Sequence, residues 1–245
     1  MKNYPLILLI ALLFGCNGDS ENSNLELINF IKPEYSTNQT SFNCNLTSGK
    51  TLNSVERFIP KFVNSFSTIE DNSAELFFLF PVLKEDQIET NFFRIVFNHS
   101  NDLSLDKFKF TLETLSFDQI ANCNNSETTN KVLQITSQNI LSSNVISEIL
   151  NCEYINGFNY ATLKLVLEQF TDALLKNNLS IDILYAAKDD SNPQFEWTNI
   201  FLSTESREEF VKSWQSLEVS KEIQELLLEQ SICQSSKIYR TYKVI

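Results

Sequence analysis

A chain of 245 residues that is 42% apolar and 12% aromatic can bury a sizeable core, which excludes an intrinsically disordered protein. Nineteen Lys and Arg stand against thirty-one Asp and Glu, for a net charge of -12 with one His. No basic cluster relieves that balance, so the surface repels phosphate backbones and nucleic acid is not expected as a partner.

The chain opens with a secretory leader pattern. Lys2 supplies a basic start and Leu6 to Phe14 form an apolar run too short to span a bilayer as a mature helix. The run ends in Leu13-Phe14-Gly15-Cys16, which resembles the bacterial lipobox. That resemblance implies cleavage before Cys16, a diacylglycerol on its thiol and acylation of the new amino terminus, so the first expected partner is a membrane. Asn17, rather than Asp, resembles lipoproteins that are not retained in the inner membrane. The expected place is the cell envelope, with the outer membrane favoured, on its periplasmic face or at the cell surface. Residues 1–15 are then the signal peptide and 16–40 a tether rich in Asn, Ser and Glu, interrupted by the apolar stretch Leu25 to Ile31.

Beyond the tether the sequence matches itself. At an offset of 108 positions Phe42-Asn43-Cys44 falls on Leu150-Asn151-Cys152, and Gly49 falls on Gly157. Val55, Phe58, Ile59, Phe62 and Phe66 fall on Leu163, Val166, Leu167, Phe170 and Leu174, all apolar and at the spacing of one helix face. After a small shift Phe92 to Phe97 matches Trp197 to Leu202, and Cys123 matches Cys233. The set implies an internal duplication, with repeats over 41–136 and 150–245 and a linker over 137–149.

Each repeat reads in one order. A strand (41–46; 150–155) carries the first cysteine, and a Gly turn leads into an amphipathic helix (52–66; 161–177). Two strands follow (74–81 and 91–98; 180–187 and 196–203). A second helical region (105–122; 205–230, broken near Leu217) and a last strand (131–136; 237–244) close the unit. That order is the ferredoxin-like β-α-β-β-α-β arrangement, in the α+β class. Leu76 to Phe80 and Phe92 to Phe97 are apolar on both faces, so the sheets need a second layer, and the other repeat's sheet can supply it. Two such repeats with facing sheets resemble the dimeric α/β-barrel superfamily, here within a single chain. The turn Cys-x4-Gly before each amphipathic helix also resembles tandem-repeat exported proteins without assigned activity.

Setting Cys16 aside leaves four cysteines, an even number in an oxidising compartment. Of the three connectivities, the duplication favours Cys44–Cys123 and Cys152–Cys233, one bridge per repeat. Zinc would want close Cys-x2-Cys pairs, which are absent, and no metal ligand set is expected.

Candidate chemistry is thin. Thr47-Ser48-Gly49-Lys50-Thr51 looks like part of a phosphate loop, but Cys44 stands where the motif needs its first Gly, so the turn reads as structural. His99 is the single histidine, read as a loop residue and a poor haem ligand. Neither a catalytic residue nor a cofactor is assigned. The expected role is therefore a non-catalytic binding or interaction module of the envelope, with a small apolar ligand lodged between the sheets. The alternative is an enzyme of the antibiotic-biosynthesis-monooxygenase type, which that superfamily resemblance implies can act without a cofactor. An interior packed solid would leave only a structural role, whereas a cavity with convergent polar groups would favour the enzyme.

Overall fold

The computed structural model describes residues 38–66, 74–82, 90–129, 131–135, 144–179, 181–187, 192–234 and 236–245. The leader, Cys16 and the apolar stretch Leu25 to Ile31 lie outside the described residues.

The first half runs β1 (Asn38–Leu46), α1 (Leu52–Phe66), β2 (Glu75–Pro81), β3 (Phe92–His99), α2 (Asp102–Thr114), a short 3-10 turn and β4 (Ala121–Thr129), followed by β5 (Lys131–Ile135). The second runs β6 (Val145–Tyr154), α3 (Tyr160–Lys176), β7 (Asp182–Ala187), β8 (Gln194–Phe201), α4 (Thr204–Ser216), α5 (Glu218–Gln230), β9 (Ser231–Cys233) and β10 (Lys237–Lys243). Strand order is β4-β1-β3-β2 in one half and β9-β6-β8-β7 in the other, the ferredoxin-like order twice. Strands β1 and β6 reach back to Asn38 and Val145, into stretches the sequence reads as tether and linker.

The halves close on each other through their last strands. Strand β10 pairs with β6 of its own half and with β2 of the other. Strand β4 pairs with β1, and its continuation β5 pairs with β7 across the molecule. Both edges of each sheet are thereby used, and the two facing sheets form one barrel, the single-chain version of the dimeric α/β-barrel.

Alternation sorts the side chains. Phe93, Ile95 and Phe97 of β3 and Leu76, Phe78 and Phe80 of β2 lie under the helices with Val55, Phe58, Phe62 and Phe66 of α1. Phe77, Leu79 and Val96 point the other way and pack in the barrel with Ile149 and Tyr239. The strands are apolar on both faces because both faces are covered. Gly49 and Gly157 hold φ of +76° and +96° in the turns that start α1 and α3.

Three expectations need correction. Residues 105–122 are not one helix: α2 ends at Thr114, Ser116 turns left-handed at φ 53°, and Cys123 sits in β4. Likewise Cys233 lies in β9, so each cysteine pair is directly cross-strand, Cys44 opposite Cys123 and Cys152 opposite Cys233, and bonded. Finally, the equivalence between β3 and β8 is not Phe92 with Trp197. Phe93 stands opposite Cys44 and Phe195 opposite Cys152, so Phe93 matches Phe195. Matching by apolarity shifts the register by three residues, an odd number, which exchanges the two faces of the strand.

Candidate functional site

The barrel is not packed solid. Beside the apolar cluster of Phe77, Leu79 and Val96, and sharing Ile149 and Tyr239 with it, opens a cavity of about 680 Å³, within the range of small-molecule sites. Its mouth carries the exposed Asn43, Asn151 and Glu153 at the ends of β1 and β6, with Gln194 and Lys237. Its walls carry Ser41, Phe92, Arg94, Glu196 and Tyr239.

Each polar wall residue is placed by strand alternation. Arg94 follows Phe93 in β3 and so turns inward, while Glu196 follows Phe195 in β8 and does the same from the facing sheet. The two meet across the cavity: Arg94 Nη1 donates to Glu196 Oε2 at 2.6 Å, with side chains 12% and 18% exposed. Arg94 Nη2 donates to Ser41 Oγ at 2.6 Å. Arg94 Nε is fully buried and makes no hydrogen bond, a donor the fold leaves unsatisfied. Burial pushes the Tyr239 phenol above its ordinary value, the Arg94 charge pulls it down and the Glu196 charge pushes it up. The phenol is therefore neutral at pH 7 and able to donate. A guanidinium, a carboxylate and a neutral phenol thus converge on one partly desolvated space, an arrangement able to bind an anion and move a proton.

A second chain of contacts starts at Gln39, which also lines the cavity. Gln39 Nε2 donates to Asn98 Oδ1 at 3.0 Å, Asn98 Nδ2 to Glu75 Oε2 at 3.3 Å, and Lys243 Nζ to Glu75 Oε1 at 2.6 Å.

Of the residues singled out from sequence, Cys152 alone borders this site. The four bonded cysteines lie at the strand pairs that close each half. His99 is not an exposed loop residue: it ends β3 fully buried, stacked on Phe97 on the helix side of the sheet. Its Nε2 lies 3.0 Å from Thr40 Oγ1 and its Nδ1 2.9 Å from the Asn101 carbonyl, so both ring nitrogens are engaged. Haem, which some members of the superfamily carry, would need an imidazole or thiolate facing the cavity. Among the described residues the one imidazole faces away and every cysteine is bonded, so these residues do not fit a His- or Cys-ligated haem.

Arg94, Glu196 and Tyr239 escape the sequence reading. The signal that points to them is a charged residue inside an apolar strand, Phe92-Phe93-Arg94-Ile95-Val96-Phe97.

No family model matches the chain and no curated protein matches it in sequence. Solved structures do match in fold. A protein assigned as a monooxygenase from Lactobacillus acidophilus aligns at TM-score 0.56 and 10% identity over 86% of this chain and 95% of that one. A protein from Fusobacterium nucleatum, also assigned as a monooxygenase, aligns at 0.53 and 9% over 86% and 93%. The R173A chlorite dismutase of Candidatus Nitrospira defluvii aligns at 0.51 and 7% over 93% and 96%. At these identities the likeness is one of fold.

The expectation of a non-catalytic module is thereby corrected. Proteins that share this barrel are named as enzymes, and its interior here holds convergent charged and polar groups where a passive binder would show an apolar lining.

Proposed function

We propose that the chain is an enzyme of the antibiotic-biosynthesis-monooxygenase type, oxidising a small cyclic enol or phenol with dioxygen inside the barrel and without a bound cofactor. The observation that carries this reading is the Arg94–Glu196 pair beside Tyr239 in a cavity of about 680 Å³. The substrate is an apolar ring system bearing an acidic hydroxyl or an activated methylene. Its body rests on Phe92 and Ile149, and its oxygen meets the Arg94 guanidinium through an Nη–H. Glu196 accepts the proton, Arg94 holds the resulting oxyanion, and Tyr239 donates to it. The electron-rich anion then reduces dioxygen. For an activated methylene, one oxygen atom becomes the new carbonyl oxygen and the other leaves as water with both methylene hydrogens; for a hydroquinone, dioxygen takes two electrons and both hydroxyl hydrogens and leaves as hydrogen peroxide, so each route balances atoms and electrons.

The test is oxygen uptake by the purified full-length protein with a panel of anthrones and hydroquinones. Catalysed uptake with stoichiometric ketone or quinone, lost at least a hundredfold in Arg94→Met and Tyr239→Phe, is the expected result. Uptake that survives both substitutions, or a panel that neither turns over nor binds, overturns the reading.

The same proposal places the enzyme at a membrane, held through lipid on Cys16 in the cell envelope, outer membrane favoured, by the tether that follows. Support comes from the lipobox-like Leu13-Phe14-Gly15-Cys16. Metabolic labelling with palmitate should mark the protein and fail to mark Cys16→Ser. Equal labelling of both removes the anchor.

A further inference from the structure

The two halves treat one position differently. Phe108 of α2 is fully buried between helix and sheet, its ring 5.3 Å from Phe42, 5.6 Å from Phe62 and 4.9 Å from Phe97. Counting from the matched pair Phe93 and Phe195, the equivalent residue in the second half is Phe210 of α4. Phe210 is only half-buried and meets Phe201 at 5.6 Å. The difference goes with an extra helix. In the second half the helical region breaks at Leu217, which is extended at ψ 136°, and α5 inserts Ile223 into the core beside Trp214 of α4. Where the first half is filled by a phenyl ring, the second half has a pocket of about 330 Å³.

Its walls are aromatic and aliphatic. Trp197 and Phe201 rise from the outer face of β8, and Phe170 comes from α3. Trp214 and Val211 hang from α4, and Leu227 from α5. Trp214 meets Phe170 edge-on at 4.9 Å. Of the polar groups nearby, Trp197 Nε1 donates to Asn199 Oδ1 at 2.6 Å and Glu148 is held by Arg207 and Ser236, while Gln215 and Gln224 sit exposed at the rim. An apolar concavity of this kind gives water few partners and gives a ring system close contact on several sides.

We propose that this pocket is a second ligand site, separate from the barrel interior, which takes a small uncharged aromatic molecule of one or two rings. It lies on the opposite face of the sheet from Arg94 and Glu196, with Phe195 bordering both spaces. It does not depend on what the barrel interior does.

The molecule carries its own reporter. The chain has two tryptophans, Trp197 and Trp214, and both line this pocket. Iodobenzene quenches indole fluorescence on contact. Titrated into the full-length protein it should quench in a saturable way, whereas free N-acetyl-tryptophanamide is quenched linearly. Val211→Phe and Leu227→Phe, each filling the pocket from a different helix, should weaken half-saturation about tenfold or more. Arg94→Met, in the other space, should leave it unchanged. Linear quenching in the wild type overturns the proposal. So does saturation that persists unaltered in both filled variants while their circular dichroism matches wild type.

Discussion

Arg94 and Glu196 occupy equivalent places in the two halves and are bonded to each other. Arg94 stands opposite Asn43 and Glu196 opposite Asn151, and Asn43 and Asn151 are themselves the matched pair one residue before each bridged cysteine. The contact therefore joins one position to its counterpart across the barrel, with opposite charges where a symmetric dimer would set like against like. Such an arrangement suits a fused chain, because identical subunits could not carry Arg on one copy and Glu on the other.

The equivalence makes the pair exchangeable. Arg94→Glu and Glu196→Arg should each place two like charges in a partly buried space and cost about 2–4 kcal/mol of stability. The double exchange restores opposite charges at nearly the same separation and should recover most of that loss. Denaturant melts of the four proteins form the cycle, and a double variant no more stable than the sum of the singles would refute the coupling.

Tyr239 predicts an alkaline limit. Its pKa is raised, first by burial, above the ordinary value near 10. The folded state therefore holds the phenolic proton more tightly than the unfolded chain. The stability this contributes is fully present below the ordinary phenol pKa and is lost as pH rises through the folded value. The proposed turnover, which needs the neutral phenol, should hold up to pH 10 and fall beyond it. Tyr239→Phe should lose the dependence of stability on pH in that window, read by thermal melts between pH 8 and 11; an unchanged profile would assign it to another group.

The bridges should open in order. Cys44 is fully buried and its partner Cys123 half-buried, whereas Cys233 is exposed beside the buried Cys152. A thiolate reaches Cys233 first, so graded reduction followed by alkylation should label Cys152 and Cys233 ahead of Cys44 and Cys123. Each bridge closes a long segment, with separations of 79 and 81 residues. Losing either by paired Cys→Ala substitution should cost about 4 kcal/mol by chain entropy. Peptide mass analysis of the alkylated forms reads the order directly.

What the sequence made legible follows the strength of the local signal. The buried face of α1, Val55, Phe58, Phe62 and Phe66, is written at three- and four-residue spacing, and the doubly apolar β2 and β3 announce a covered sheet. Strand β4 was hidden because Ala-Asn-Cys-Asn-Asn-Ser-Glu-Thr-Thr has almost no apolar alternation; its pairing with β1 and the bridge to Cys44 specify it from outside. The site was hidden for a related reason. Aligning β3 with β8 by apolar content set Arg94 against Asn199, on the wrong face, whereas the register sets it against Glu196. Partners that meet across a barrel leave no spacing in the sequence to count.

The turn glycines offer the sharpest contrast between backbone and side-chain effects. Gly49 and Gly157 hold φ of +76° and +96°, yet a β-carbon built on either meets nothing within 4 Å. Space is thus available and only the left-handed backbone resists substitution, so the cost should follow the residue's tolerance of positive φ and not its size. Gly49→Val and Gly157→Val should each destabilise by about 1–2 kcal/mol or somewhat more, since β-branching disfavours this region most. Gly49→Asn and Gly157→Asn, similar in bulk but at ease in left-handed turns, should cost markedly less. Thermal melts of the four variants decide the matter: equal losses for Val and Asn would mean that crowding, and not φ, governs the turns.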